Sequence, residues 1–137
     1  IHASAGIEVG TELVWSFVQD QKTPAFFYLN HLDKENVEFD NVINDLQKRF
    51  LSIAVLQFPG NPGSENFNQI VDLVDMKLVT FNPDGSEKSR GDIPENLSDK
   101  ATEMRQNLVD TVAETDDDLM EKFFENDGLT NDELTSG

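Results

Sequence analysis

The sequence predicts an α/β chain in which a partial parallel sheet with its helices, residues 1–50, precedes an α+β region, residues 51–137, made of an antiparallel hairpin and acidic C-terminal helices. Three observations predict this. A five-residue apolar run, Ala25-Phe26-Phe27-Tyr28-Leu29, lies between two stretches whose apolar residues recur at helical spacing, the alternation of a parallel sheet. Two β-rich runs within 69–81 end at Asn82-Pro83-Asp84-Gly85, a turn that favours an antiparallel return. From Asp92 onward, apolar residues recur every three or four positions and the charged residues between them are mostly acids.

The elements follow in order. Ile1 to Gly6 form a turn, and Val9, Leu13, Val14, Phe17 and Val18 supply the buried stripe of a helix ending near Gln21. Pro24 blocks its continuation, so Ala25–Leu29 is expected to be a buried strand. Phe39, Val42, Ile43, Leu46 and Phe50 mark a second amphipathic helix. Ile53, Val55 and Gln57-Phe58 make a short strand, stopped by the loop Pro59-Gly60-Asn61-Pro62-Gly63. Gln69–Val74 and Met76–Phe81 are further strands. Asp92-Ile93-Pro94-Glu95 starts a long helix with a capping acid and an early proline, and its stripe is Leu97, Ala101, Met104, Leu108 and Val112. Thr115 to Asp118 open the next helix, with three acids at the positive end of its dipole and Leu119, Met120, Phe123 and Phe124 on its buried face. Asp127-Gly128 ends it, and Thr130-Asn131-Asp132-Glu133 is a capping box for a last short helix. Trp15 and the ten phenylalanines read as core.

Composition narrows the function. A chain of 137 residues suits one domain or two small ones. No apolar run approaches a membrane span and no basic-then-apolar leader is present, so a cytoplasmic location without a membrane partner is expected. Cysteine is absent, which excludes disulfides and thiolate metal sites. The formal charge is −17, and residues 92–137 carry 14 acids against 3 bases. Such a surface repels phosphate backbones, so a basic protein partner is favoured over direct contact with nucleic acid. The two histidines share no helical spacing and no calcium-loop series of aspartates occurs, so no metal site is expected. No nucleophile stands with a base and an orienting acid, so no catalytic residue is assigned in this chain.

Asn30-His31-Leu32-Asp33 follows the apolar run, at the carboxyl end of a strand, where ligands of open α/β sheets bind. Guanine presents N1–H and its exocyclic amine side by side, and an ionised Asp33 accepts from both while the Asn30 amide serves N7 and the loop. Adenine has an acceptor at N1 and lacks that amine. The charge-assisted pair is worth roughly 1.5–3 kcal/mol. The same spacing recurs at Asn96/Asp99 and Asn107/Asp110, but there it falls inside helical periodicity and reads as a solvated face. None of the eight glycines begins a G-x-x-x-x-G-K-[ST] phosphate loop, and no Asp stands three residues before a Gly.

The ordered series of motifs carries a family resemblance. Ala3-Ser4-Ala5-Gly6-Ile7-Glu8, the apolar run and Asn30-His31-Leu32-Asp33 are followed by Leu56-Gln57-Phe58-Pro59-Gly60, Phe67 and Ile70 to Lys77. Then come Asp92-Ile93-Pro94, Asn107 to Asp116, Leu119 to Phe123 and Leu129 to Leu134. In order and spacing this resembles elongation factor G, the bacterial family of translocation GTPases, over nearly the whole chain. The resemblance implies the second half of a P-loop-type GTPase core in 1–50 and that family's insert in 51–137. It implies a GTP or GDP ligand with Mg, whose phosphate loop and Mg ligands lie outside this chain, so the isolated piece would not hydrolyse GTP. It also implies the ribosome as partner, with the acidic helices of 92–137 facing the ribosomal stalk protein.

His31 departs from the family, which carries Lys there with its aliphatic stem over one face of the purine. An imidazole still stacks on a base, but it is shorter and lacks a fixed charge. The departure leaves room for a divergent paralogue with reduced dependence on GTP hydrolysis, or a non-enzymatic docking module. A peptide-release or ribosome-protection relative fits less well, because those typically lack or reduce the insert. His2 stands where relatives often have an acid and receives no role.

Overall fold

The computed structural model of the chain describes residues 1–50 and 52–136. The boundary expected between 50 and 51 touches Leu51, outside the described residues. The chain divides into two compact units, Ile1–Leu51 with Asn61–Phe67, and Ser52–Gly60 with Asn68–Gly137.

The first unit holds α1 (Val9–Gln21) and α2 (Phe39–Arg49). Phe39, Val42 and Leu46 recur at helical spacing along α2 and are buried, as is Phe50 just after it. In α1 the expected stripe points the other way. Val9, Leu13, Val14 and Phe17 are exposed, Phe17 by 60%, and no residue of the helix is buried. Trp15 packs instead, its ring 5.2 Å from Phe27 and 4.9 Å from Phe50, with Phe27 and Phe50 5.1 Å apart. The helix is therefore apolar on two faces, and periodicity alone does not say which one a neighbour covers.

Ala25–Leu29 is not the buried strand expected. Phe27 and Leu29 are half-buried, while Phe26 and Tyr28 alternate with them at 86% and 78% exposure. A strand is defined by its neighbours. Here the pairing is a parallel bridge of His2 with Asn30, in which Asn30 N–H donates to the Ile1 carbonyl and Ala3 N–H donates to the Asn30 carbonyl. Among the described residues that bridge is the extent of parallel pairing.

The second unit is built on an antiparallel sheet in the order β1 (Gln57–Pro59), β2 (Gln69–Asp72), β3 (Lys77–Phe81) and β4 (Glu87–Gly91). Phe58 stands opposite Val71, and Val79 opposite Ile70; Phe58, Val71 and Val79 are buried. β2 is shorter than expected because the Asp72 carboxylate accepts from Val74 N–H and Asp75 N–H and turns the chain. β4 supplies the antiparallel return that the Asn82–Gly85 turn favours, though its own residues give no strand signal. It is exposed at every position and lacks apolar alternation, and only its ladder with β3 makes it a strand. The turn before it places Gly85 at φ +83°, with the Asp84 carboxylate accepting from Ser86 N–H and hydroxyl.

Three helices complete this unit: α3 (Glu95–Ala113), α4 (Asp117–Asn126) and α5 (Asn131–Ser136). Ala101, Leu108 and Val112 of the α3 stripe are buried, with Val109 and Ala113 beside them. Asp92 does not cap α3. Pro94 occupies the N-cap without a side-chain bond, and Asp92 pairs with Lys77 at 2.7 Å. Asp116 does cap α4, accepting from Asp118 N–H, but Phe124 points to solvent at 75% exposure rather than inward. The α5 capping box is reciprocal: Thr130 N–H and hydroxyl donate to Glu133, and Glu133 N–H donates to Thr130 Oγ1. Arg105 reaches from α3 to donate to the Leu73 and Val74 carbonyls and to Asn131 Oδ1, tying the β2–β3 turn to both helices. No described helix is long and apolar enough to cross a membrane.

Candidate functional site

Asn30 is fixed on three sides. Its backbone carries the bridge to residues 1–3, and its side-chain Oδ1 accepts from His31 N–H at 2.8 Å. That bond holds the chain as it turns, and His31 takes a left-handed conformation, φ +63°, which histidine tolerates better than most residues. Lys34 N–H then closes a turn onto the His31 carbonyl at 3.3 Å. Farther along the chain, Gly63 N–H donates to the Leu32 carbonyl at 2.8 Å, from a backbone at φ +72° that suits glycine.

Asp33 is partly exposed, and its carboxylate pairs with Lys34 Nζ at 3.2 Å. The hydrogen bond from Lys34 is the main cause holding its carboxyl below the ordinary 3.8, with burial opposing. At neutral pH it is an acceptor only, able to take two parallel N–H donors. Asn96, Asp99, Asn107 and Asp110 all lie on α3 and are exposed, with Asp110 accepting from Gln106, as a solvated helix face requires.

No family model matches the chain. It is similar to an Elongation factor G-like protein of Thermotoga maritima, 31% identical over 134 residues, which are 98% of this chain and 19% of that protein. The chain is an elongation factor G-like segment. A crystal structure of a Thermus thermophilus protein superposes on it with a TM-score of 0.84 and 25% identity, over 98% of this chain and 20% of that one. The segment thus spans about a fifth of the length of these relatives.

Two residues at the tetrad of this elongation factor G-like segment escape sequence reasoning. Gly63 is thirty-one positions from Leu32, inside a Pro-Gly cluster that signals a loop but not its destination. His2 stacks on His31, with ring centroids 4.2 Å apart and planes 22° from parallel. The only signal for that pair is that both are histidines, the two in the chain.

Proposed function

We propose that this segment contributes the guanine-reading half of the GTP site in a longer elongation factor G-type GTPase, which promotes translocation on the ribosome. Asp33 accepts from guanine N1–H and the exocyclic amine, Asn30 serves the N7 side and braces the loop, and His31 stacks partly over the base. The observation that carries this reading is the Asn30 brace beside an ionised, accessible Asp33. Lys34 is displaced or shared when the base arrives. The phosphates and Mg are held by residues outside this chain, so the segment alone does not hydrolyse GTP.

The uncovered apolar side chains support the same reading. A parallel sheet needs both faces covered. Phe26 and Tyr28, with Val9, Leu13, Val14 and Phe17 of α1, are the surface that the remaining strands and helices of a P-loop-type core would cover. The domain division at residue 50 belongs to this proposal. Titration of the full-length protein with fluorescent GDP tests it. Asp33→Ala is expected to weaken binding at least about tenfold, the loss of a charge-assisted pair. Unchanged affinity would overturn the assignment.

A second reading rests on the exposed acids of α3 and α4, among them Glu103, Asp117, Asp118 and Glu121, with Glu114 between the two helices. They favour a basic docking partner, and the ribosomal stalk protein is the proposed one. Absence of salt-sensitive binding to its C-terminal domain would remove this reading.

A further inference from the structure

We infer that His2 is a positioning residue for base recognition: its imidazole, stacked on His31, holds the His31 ring flat as the platform on which guanine rests. This role rests on the proposed base site at Asn30 and Asp33, and adds to it a residue from the other side of the parallel bridge.

His31 needs such support. Its side chain is short and exposed, so an unsupported ring turns freely about its side-chain torsions, and any orientation that tilts its face off the base weakens the stack. His2 is held firmly. It is half-buried, and its carbonyl accepts from Ala5 N–H and Gly6 N–H in a turn that Gly6 closes at φ +71°. Its Nδ1 accepts from Ser4 N–H at 3.4 Å and lies 3.0 Å from Ser4 Oγ. The bridge between His2 and Asn30 then sets the two loops in register, and the rings meet at 4.2 Å, near parallel. One face of His31 is covered by His2. A purine on the other face completes a stack of three rings, which replaces the single long stem that a lysine would lay over the base.

The test is a set of His2 variants in the full-length protein, titrated with GDP and with pyrophosphate. Pyrophosphate has no base to stack. His2→Ala is expected to weaken GDP about three- to tenfold, the range of an aromatic pair, and to leave pyrophosphate unchanged. His2→Phe keeps a flat ring and restores GDP binding to within about twofold, whereas His2→Leu keeps volume without the ring and behaves as His2→Ala. In a His31→Ala background, His2→Ala should have no further effect. GDP binding that His2→Ala leaves untouched, equal rescue by Leu and Phe, or equal losses for GDP and pyrophosphate would each overturn the inference. Asp33→Asn is measured alongside. If it shifts preference toward xanthosine diphosphate while the His2 variants are silent, the base site stands and His2 is wrong. If Asp33→Asn is silent too, the base site itself falls.

Discussion

In the second unit, Phe58, Val71, Leu73 and Leu108 are almost sealed from solvent, while in the first unit α1 buries nothing and Phe26 and Tyr28 stand open. The first unit is not short of apolar residues. The second unit supplies its own partners: every strand of its sheet has a neighbour, and α3 and α5 are tied to the β2–β3 turn through Arg105. The first unit holds an extended run whose backbone meets three residues at the start of the chain. In the proposed function, this open side is the one that the rest of a parallel sheet and its helices would cover.

The largest expected effect lies on the closed side. Phe58→Ala should cost about 3–5 kcal/mol in urea unfolding of the chain followed by far-UV circular dichroism, as a large aromatic removed from a packed core. A loss near zero would mean that the second unit is no better packed than the first. Arg105→Ala should cost about 1–3 kcal/mol by the same measurement, because the Leu73 and Val74 carbonyls are left without their donor.

A smaller effect comes from acid. The Thr130 backbone N–H, then its hydroxyl, hold the Glu133 carboxyl below the ordinary 4.5. A carboxyl lowered in the folded state adds stability above its unfolded value, and that stability is lost as pH falls through the folded value. The urea midpoint should therefore drop on going from about pH 6 to about pH 3 by more in the wild type than in Glu133→Gln. Equal drops would show that the capping box adds nothing. The smallest effect is on the open side: Phe26→Ser should change the stability of the chain by no more than about 0.5 kcal/mol. A loss as large as that of Phe58→Ala would show that the run is already covered.

The two units were also unequally legible. The capping box at Thr130–Glu133 and the α4 cap at Asp116 are local, so a few residues specify them, and both form. The α3 stripe is long enough for its period to be read. β4 has no apolar signal, since Glu87–Gly91 is exposed throughout and pairs by backbone alone. Asp92 had a choice between the α3 terminus and Lys77, and a lysine fifteen residues away is invisible to local rules. In the first unit periodicity found α1 but did not mark the face on which Trp15 meets Phe27 and Phe50 from elsewhere in the chain. At the candidate site spacing and context nominate Asn30, His31 and Asp33, while His2 and Gly63 arrive beside them through a bridge and a loop that the sequence does not announce.

In the proposed function, guanine reading by this segment rests on Asp33. Competition between guanosine and xanthosine diphosphates on the full-length protein, wild type against Asp33→Asn, tests this most directly. Xanthine carries a carbonyl where guanine carries its amine, so the amide of the variant can donate where the carboxylate accepted. The wild type should prefer the guanine nucleotide and Asp33→Asn should reverse that order. An unchanged preference for guanine in the variant would contradict the role given to Asp33.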